Sequence, residues 1–166
     1  MKSVFGVMCI MFCLGIMPII AQNTPNKKKS KEGAIKELIK SGNYKIEVSI
    51  AYPRGGASVP LTSSYSLEVR NDSVISYLPF YGRAYSIPYG GGDGLNFKSS
   101  LDEYEVEPNP KKEKYEIKMK TRTSEDTFRF NLDIFFNGSS RIDVIMQNRE
   151  SISYSGKIEL LPLKGR

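Results

Sequence analysis

From Tyr44 onward the chain alternates apolar and polar side chains: Tyr44, Ile46, Val48, Ile50 and Tyr52 are interleaved with Lys45, Glu47, Ser49 and Ala51. A period of two puts one set on each face, so the run reads as a strand with one buried and one wet side. The alternation returns in Tyr65-Leu67-Val69, Tyr115-Ile117-Met119, Phe128-Phe130-Leu132-Ile134, Ile142-Val144-Met146, Ile152-Tyr154 and Ile158-Leu160, with a shorter piece at Tyr104 and Val106. Turn residues separate the runs. Arg70-Asn71-Asp72-Ser73 leads into a strand from Val74 to Leu78, Pro108-Asn109-Pro110 divides two charged strands, Ser124-Glu125-Asp126 makes a tight return, and Asn137-Gly138 is the strongest hairpin signal. The pattern predicts a mainly β fold, an antiparallel meander of about eight strands. It closes into a small barrel or folds into a two-sheet sandwich, and alternation alone supports both.

Upstream the period lengthens. Residues 30–42, SKEGAIKELIKSG, predict a short N-terminal helix with Ser30 as N-cap, Glu32 in the first turn, Lys40 in the last and Gly42 just past the end. Ala34, Ile35, Leu38 and Ile39 would share one face, and so short a helix needs an apolar surface to dock on. Ahead of it, residues 22–30 are polar and hold Pro25, which reads as a flexible leader; the cluster Lys27-Lys28-Lys29-Ser30-Lys31 reads as a solvated tether rather than a polyanion or membrane contact.

Residues 1–21 begin with Lys2, continue through the uncharged run from Ser3 and reach Pro18 and then Ala21. This is the form of a signal peptide cut after Ala21. A retained anchor is the alternative, although it needs about 20 apolar residues. A lipid-modified cysteine would call for a small residue before it, and Met8 and Phe12 precede Cys9 and Cys13. The expected division is therefore a signal peptide at 1–21, the leader at 22–30 and a single β-rich domain at 31–166, periplasmic or secreted, without stable membrane insertion once the signal is removed.

Composition narrows the chemistry. The only two cysteines lie in the signal segment, so no disulfide staples the mature chain and thiol catalysis is excluded from it. No histidine is present, which removes the commonest general base, the usual serine triad and most zinc sites. The net charge of +6 owes much to the lysine cluster, and no nucleic-acid partner is expected. No cofactor, metal or catalytic residue is assigned. Asp102, Glu103, Glu105 and Glu107 could supply a carboxylate pair for an acidic envelope hydrolase, with Asp93 as another candidate. Their alternation with Tyr104 and Val106 instead puts the glutamates on the wet face of a strand, balanced by Lys111, Lys112 and Lys114 across the turn.

The most unusual stretch is SYLPFYGRAYSIPYGGGDGLNF, residues 76–97, in a chain without tryptophan. Pro79 removes a backbone donor and Gly82 breaks the alternation, so the chain must bend there. Tyr77, Phe80, Tyr81, Tyr85 and Tyr89 could line a cleft with Arg83, with Gly90, Gly91, Gly92, Asp93 and Gly94 as a mobile flap. The alternative is structural: the rings fill the core at a corner and Arg83 caps carbonyls or meets a carboxylate. A phosphate cradle is not expected, because strand rather than helix follows the glycines. Asp93 also lacks the further acidic residues of a calcium loop.

This run, preceded by YSLEVRNDSVI and followed by NRESISYSGKI, resembles a family of secreted Bacteroidetes proteins known as domain of unknown function 4251. The resemblance extends from about Ile35 to Leu160, with its centre in Tyr77-Leu78-Pro79, two aromatics, then Gly82-Arg83-Ala84-Tyr85. The family's aromatic pair is often tyrosine then phenylalanine; here it is Phe80-Tyr81. The resemblance implies a Gram-negative envelope protein with a mainly β domain and supplies no catalytic residue. Asp72-Ser73-Val74 is similar to the O-glycosylation acceptor pattern of Bacteroidetes envelope proteins, with Ser73 as the acceptor, although so short a pattern recurs by chance and a plain turn is the favoured reading. The expected function is a non-catalytic binding module holding a small or extended ligand at the aromatic corner. An envelope protein partner is the second expectation and the acidic hydrolase the third.

Overall fold

A computed structural model describes residues 25–86 and 94–160. It contains one helix, α1 (Pro25–Ser41), and eight strands: β1 (Asn43–Pro53), β2 (Val59–Arg70), β3 (Ser73–Leu78), β4 (Leu95–Asn109), β5 (Lys114–Arg122), β6 (Thr127–Phe135), β7 (Ser139–Ile145) and β8 (Ile152–Leu160). Each strand pairs antiparallel with the next, and β8 returns to β1, so the sheet closes into a barrel. Closure removes the unpaired edges that a sandwich would have left.

The inward positions of the predicted strands form the core: Tyr44, Ile46, Leu67, Val69, Ile117, Phe128, Phe130, Ile142 and Tyr154 are buried, and Phe97 stacks on Phe128 at a centroid distance of 4.4 Å. An eight-stranded barrel is just wide enough for its own side chains to fill. The concave surfaces that remain lie at its two ends.

In β1 the sequence pattern and the structure part at one residue. A bulge between Val48 and Ile50 leaves Ser49 out of register, so Ala51 turns inward, fully buried, while Ile50 is only half-buried and Tyr52 faces solvent. An extra residue flips every side chain that follows it to the other face. On the 94–109 segment two predicted pieces are one long strand, β4, which bends at its own irregularity between Leu101 and Glu103. Beyond Leu101 this strand outreaches β3 and pairs only with β5. Pro110–Lys112 then makes a single 3-10 turn, capped where the Asn109 side chain accepts from Lys112 N–H at 3.2 Å.

The helix begins at Pro25, before the expected Ser30 cap, and takes in residues 25–30 of the predicted leader. Proline is tolerated at a helix start because its missing N–H would have had no partner there. Ile35, Leu38 and Ile39 are buried as expected, whereas Ala34 is exposed at the margin of the stripe. Gly42, at φ +64°, ends the helix in the left-handed region and its carbonyl accepts from Asn71 N–H at 2.8 Å, which ties α1 to the β2–β3 turn. The predicted Asn137-Gly138 hairpin is present, with Gly138 at φ +87° and the Asn137 side chain accepting from Ser139 N–H at 2.9 Å.

Charge pairing on β4 also differs from expectation. Glu103 meets Lys120 at 2.7 Å and Glu105 stands opposite Lys118, while Lys114 sits between Asp133 at 2.7 Å and Glu116 at 2.9 Å. The lysines that balance the glutamates come from the neighbouring strand, because cross-strand register and not the turn decides which side chains meet.

Candidate functional site

At Leu78 the chain leaves the sheet, and residues 79–86 run as an arm across the end of the barrel opposite α1. The arm is held at each step. Tyr154 donates its hydroxyl to the Pro79 carbonyl at 2.7 Å, Arg83 N–H donates to the Glu150 carboxylate at 3.1 Å, and Glu150 N–H donates to the Arg83 carbonyl at 2.9 Å. Ala84 bridges to Arg149, and Tyr85 N–H and Ser86 N–H both donate to the Asn148 carbonyl, at 2.7 and 3.3 Å. A Cβ at Gly82 would lie 3.0 Å from the Phe80 ring, so the glycine lets that ring fold back toward the core, where it is half-buried.

Below the arm lies a polar clamp. Arg149, 5% exposed, donates to the Glu125 carboxylate at 3.0 Å, and its Nη1 meets no partner among the described residues. The Asp126 carboxylate accepts from the backbone N–H groups of Thr127, Gln147 and Asn148 at 2.7, 2.9 and 3.0 Å. Two loops are thereby fixed to each other, and the arm is held by the second of them, residues 147–150.

An open depression of about 430 Å³ is bordered by Pro53, Gly55, Gly56, Tyr81, Gly82, Arg83 and Glu150. Of the aromatic residues read from the sequence, Tyr81 lies at this depression beside Arg83. Tyr77, 51% exposed, is on the outer wall of β3, its ring 5.3 Å from that of Tyr65, and Tyr85 is 66% exposed. Phe80 belongs to the core side of the arm. Tyr89, Gly90, Gly91, Gly92 and Asp93 lie outside the described residues; Gly94, at φ +64°, precedes β4. Ser73 is not at a hairpin tip: it is the half-buried first residue of β3, paired with Arg70 and Ser100 one step beyond the turn. Among the described residues no three His, Cys, Asp or Glu side chains are grouped as metal ligands.

Sequence reasoning missed Glu150, Gly55 and Gly56, which come from distant loops and carry no local pattern of their own. It also missed a second concavity, of about 550 Å³, between α1 and the β4–β5 hairpin.

Burial shifts several of the phenols upward. It raises the Tyr154 hydroxyl far above the usual range, with a smaller push from Tyr81, and it raises Tyr44 and Tyr104, whose hydroxyls meet at 3.1 Å. A raised folded value means that the native state holds these protons more tightly than the unfolded chain. The resulting stability is fully present below the unfolded value of about 10 and is lost as pH rises through the higher folded values. Urea melts should therefore show stability falling above about pH 10, with a shallower fall in Tyr154→Phe. An identical alkaline slope in that variant would contradict the assignment.

The fold defines a class: a closed antiparallel eight-stranded barrel with a packed interior, a helix at one end and a clamped arm at the other. The chain belongs to the family described as "Domain of unknown function (DUF4251)", whose profile matches residues 26–158. Among solved structures it is similar to the crystal structure of a DUF4251 family protein from Bacteroides eggerthii DSM 20697, with a TM-score of 0.60 and 12% identity over 79% of this chain and 88% of that one. At that identity the likeness concerns the fold alone. The comparison with curated proteins gave no match. Among the described residues no helix is long and apolar enough to cross a membrane, and the expected signal peptide at 1–21 lies outside them.

Proposed function

We propose that this protein is a non-catalytic binding module of the bacterial envelope, periplasmic or secreted, that holds a small or extended ligand with an apolar or aromatic face at the arm end of the barrel. The observation that carries this reading is the depression in which Tyr81 and Arg83 stand beside Glu150 and three glycines, on an arm fixed by backbone hydrogen bonds. A ring, a cation and an anion around exposed backbone suit a ligand with one flat face and a few polar groups. The envelope assignment rests on the signal-like residues 1–21 and the Bacteroides source of the structural relative.

A metabolite screen read by thermal shift tests this. A ligand that raises the melting temperature of the native protein should do so less in Tyr81→Ala and in Arg83→Ala, each weakening its affinity about fivefold to thirtyfold. Undiminished binding in both variants would remove the site from the arm.

The exposure of Tyr77 and Tyr85 outside the depression favours a second reading, in which the same end meets an envelope protein. Tyrosine and arginine are the residues that protein interfaces enrich. A stoichiometric partner recovered from periplasm and lost in Tyr85→Ala, with small-molecule binding unchanged, would select it. Nothing favours the hydrolase: Glu103 is on the outer wall, paired with Lys120, and Asp93 lies outside the described residues.

A further inference from the structure

At the end opposite the arm, α1 and the long β4–β5 hairpin stand apart along a groove of about 550 Å³, within the roughly 300–1,000 Å³ of small-molecule sites. Its shape follows from its two walls. Tyr104, Val106 and Pro108 occupy alternate positions on one face of β4, an apolar lane about 13 Å long by strand rise, and Pro110 extends it around the hairpin tip. Glu32, Lys36, Ile39 and Lys40 form the facing line along α1, about 12 Å by helical rise. Tyr115 and Phe136, their rings 5.4 Å apart, complete the lining. The two walls make a linear slot, apolar along β4 and, on the α1 side, apolar at Ile39 between charged side chains.

Besides the ammonium groups of Lys36 and Lys40 on the α1 side, one hydroxyl donor opens into this slot from the β4 wall. The Tyr44 and Tyr104 hydroxyls are 3.1 Å apart, and Tyr44 is wholly buried. Were Tyr104 the donor, the Tyr44 proton would be left without a partner among the described residues, a costly arrangement for a buried hydroxyl. Tyr44 therefore donates and Tyr104 accepts. The Tyr104 proton is left over, on a ring that lines the groove, and has no other partner among the described residues. Along the α1 side the charges of Glu32 and Lys36 offset each other, and Lys40 is engaged by Glu37 at 3.6 Å. On the β4 side, recognition is thus set by one hydroxyl donor and a linear apolar lane.

We propose that the groove between α1 and the β4–β5 hairpin binds an aliphatic acyl chain, with the carbonyl oxygen accepting the Tyr104 hydroxyl proton and the methylenes lying along Val106, Pro108 and Pro110. An unbranched chain with one terminal acceptor matches a straight apolar lane with one hydroxyl donor at its end. A peptide would bring several amide groups to a wall that answers only one. This site is separate from the arm and does not rest on the reading of that end.

Calorimetric titration of the purified protein, below micellar concentrations, tests the proposal with dodecanoate, its neutral monoglyceride and dodecylammonium as probes. Dodecanoate or the monoglyceride should bind saturably, and whichever binds tighter identifies the free acid or the esterified chain as the source. Dodecylammonium, which offers no acceptor, should bind at least fivefold more weakly. Each methylene removed from the better acyl probe should weaken binding about twofold to fourfold. Tyr104→Phe, which keeps the ring but deletes both the donor and the acceptor of Tyr44, should weaken it about twofold to tenfold, whereas Tyr44→Phe, which leaves the Tyr104 donor in place, should not. Val106→Trp should abolish it by filling the lane, and should Val106→Trp not fold, Tyr104→Phe decides alone. No saturable binding of either acyl probe, equal binding of dodecylammonium, or unchanged affinity in Tyr104→Phe would overturn the proposal.

Discussion

Gly156→Ala will lower the unfolding free energy of the barrel by about 2–3 kcal/mol, read as a shifted urea midpoint with unchanged slope. Gly156 sits opposite Val48, next to the bulge that leaves Ser49 unpaired, on the β1–β8 seam that closes the sheet. A Cβ there would lie 2.8 Å from the Glu47 carbonyl carbon and 2.9 Å from the Val48 Cα, and backbone atoms cannot rotate aside as a flexible side chain could. The lower entropy of the unfolded alanine chain returns only about 0.4–1 kcal/mol. Because the strain falls on the closing seam, amide exchange should accelerate around residues 46–48 and 156–158. Gly55→Ala is the control: nothing lies within 4 Å of its added Cβ, so its stability should stay within about 0.5 kcal/mol of the parent. Equal losses at the two glycines, or none at Gly156, would show that the seam is not the tight point.

The same bulge marks the limit of what alternation could reveal. Strands whose apolar residues keep a strict period of two, such as Phe128-Phe130-Leu132-Ile134, are found as read, because every second position is buried in one continuous core. The alternation in β1 runs through Ser49 without interruption and predicts Ile50 and Tyr52 to face inward. Nothing in the composition of Ser49 announces a bulge, since it shows only in the pairing of Val48 with Gly156 and Ile50 with Ser155, from the far end of the chain. Barrel closure is likewise a long-range event, settled by the pairing of β1 with β8. At the arm, proline and glycine signalled the departure from the sheet, and the tyrosines signalled a surface to examine. Which rings face solvent was not legible, because that depends on Glu150 and Asn148, residues of a loop whose sequence gives no hint that it receives the arm. The groove beside α1 escaped notice for a similar reason. Tyr104 and Val106 read as ordinary inward positions of a short strand, and only the extension of β4 beyond β3 leaves that face for the helix to overhang.

Asp126→Ala will cost more than the glycine change, about 3–4 kcal/mol, and its effect will travel to the arm. The carboxylate is 5% exposed and accepts from three backbone N–H groups, Thr127 and Gln147 at Oδ1 and Asn148 at Oδ2. Removing it strands three donors in a place where water has little access, each worth about 1–3 kcal/mol when left unmade, with partial relief at the loop surface. Asp126→Asn should fall between, near 2 kcal/mol, since its single oxygen can keep the two Oδ1 bonds while its amide N–H₂ faces the Asn148 N–H donor. The gradation separates hydrogen bonding from packing, because asparagine preserves the shape that alanine loses. The Asn148 carbonyl in turn receives Tyr85 N–H and Ser86 N–H, so displacing residues 147–148 removes the far anchor of the arm. Hydrogen exchange at Tyr85 and Glu150 should rise in both variants while Asn71, hydrogen-bonded to Gly42 at the helix end, keeps its protection. A ligand held by Tyr81 and Arg83 should bind these variants more weakly although neither substitution touches it, because a loosened arm must be ordered again on binding. Faster exchange at Tyr85 with undiminished affinity would mean that the depression beside Arg83 does not depend on the clamp, and would move the proposed site away from the arm.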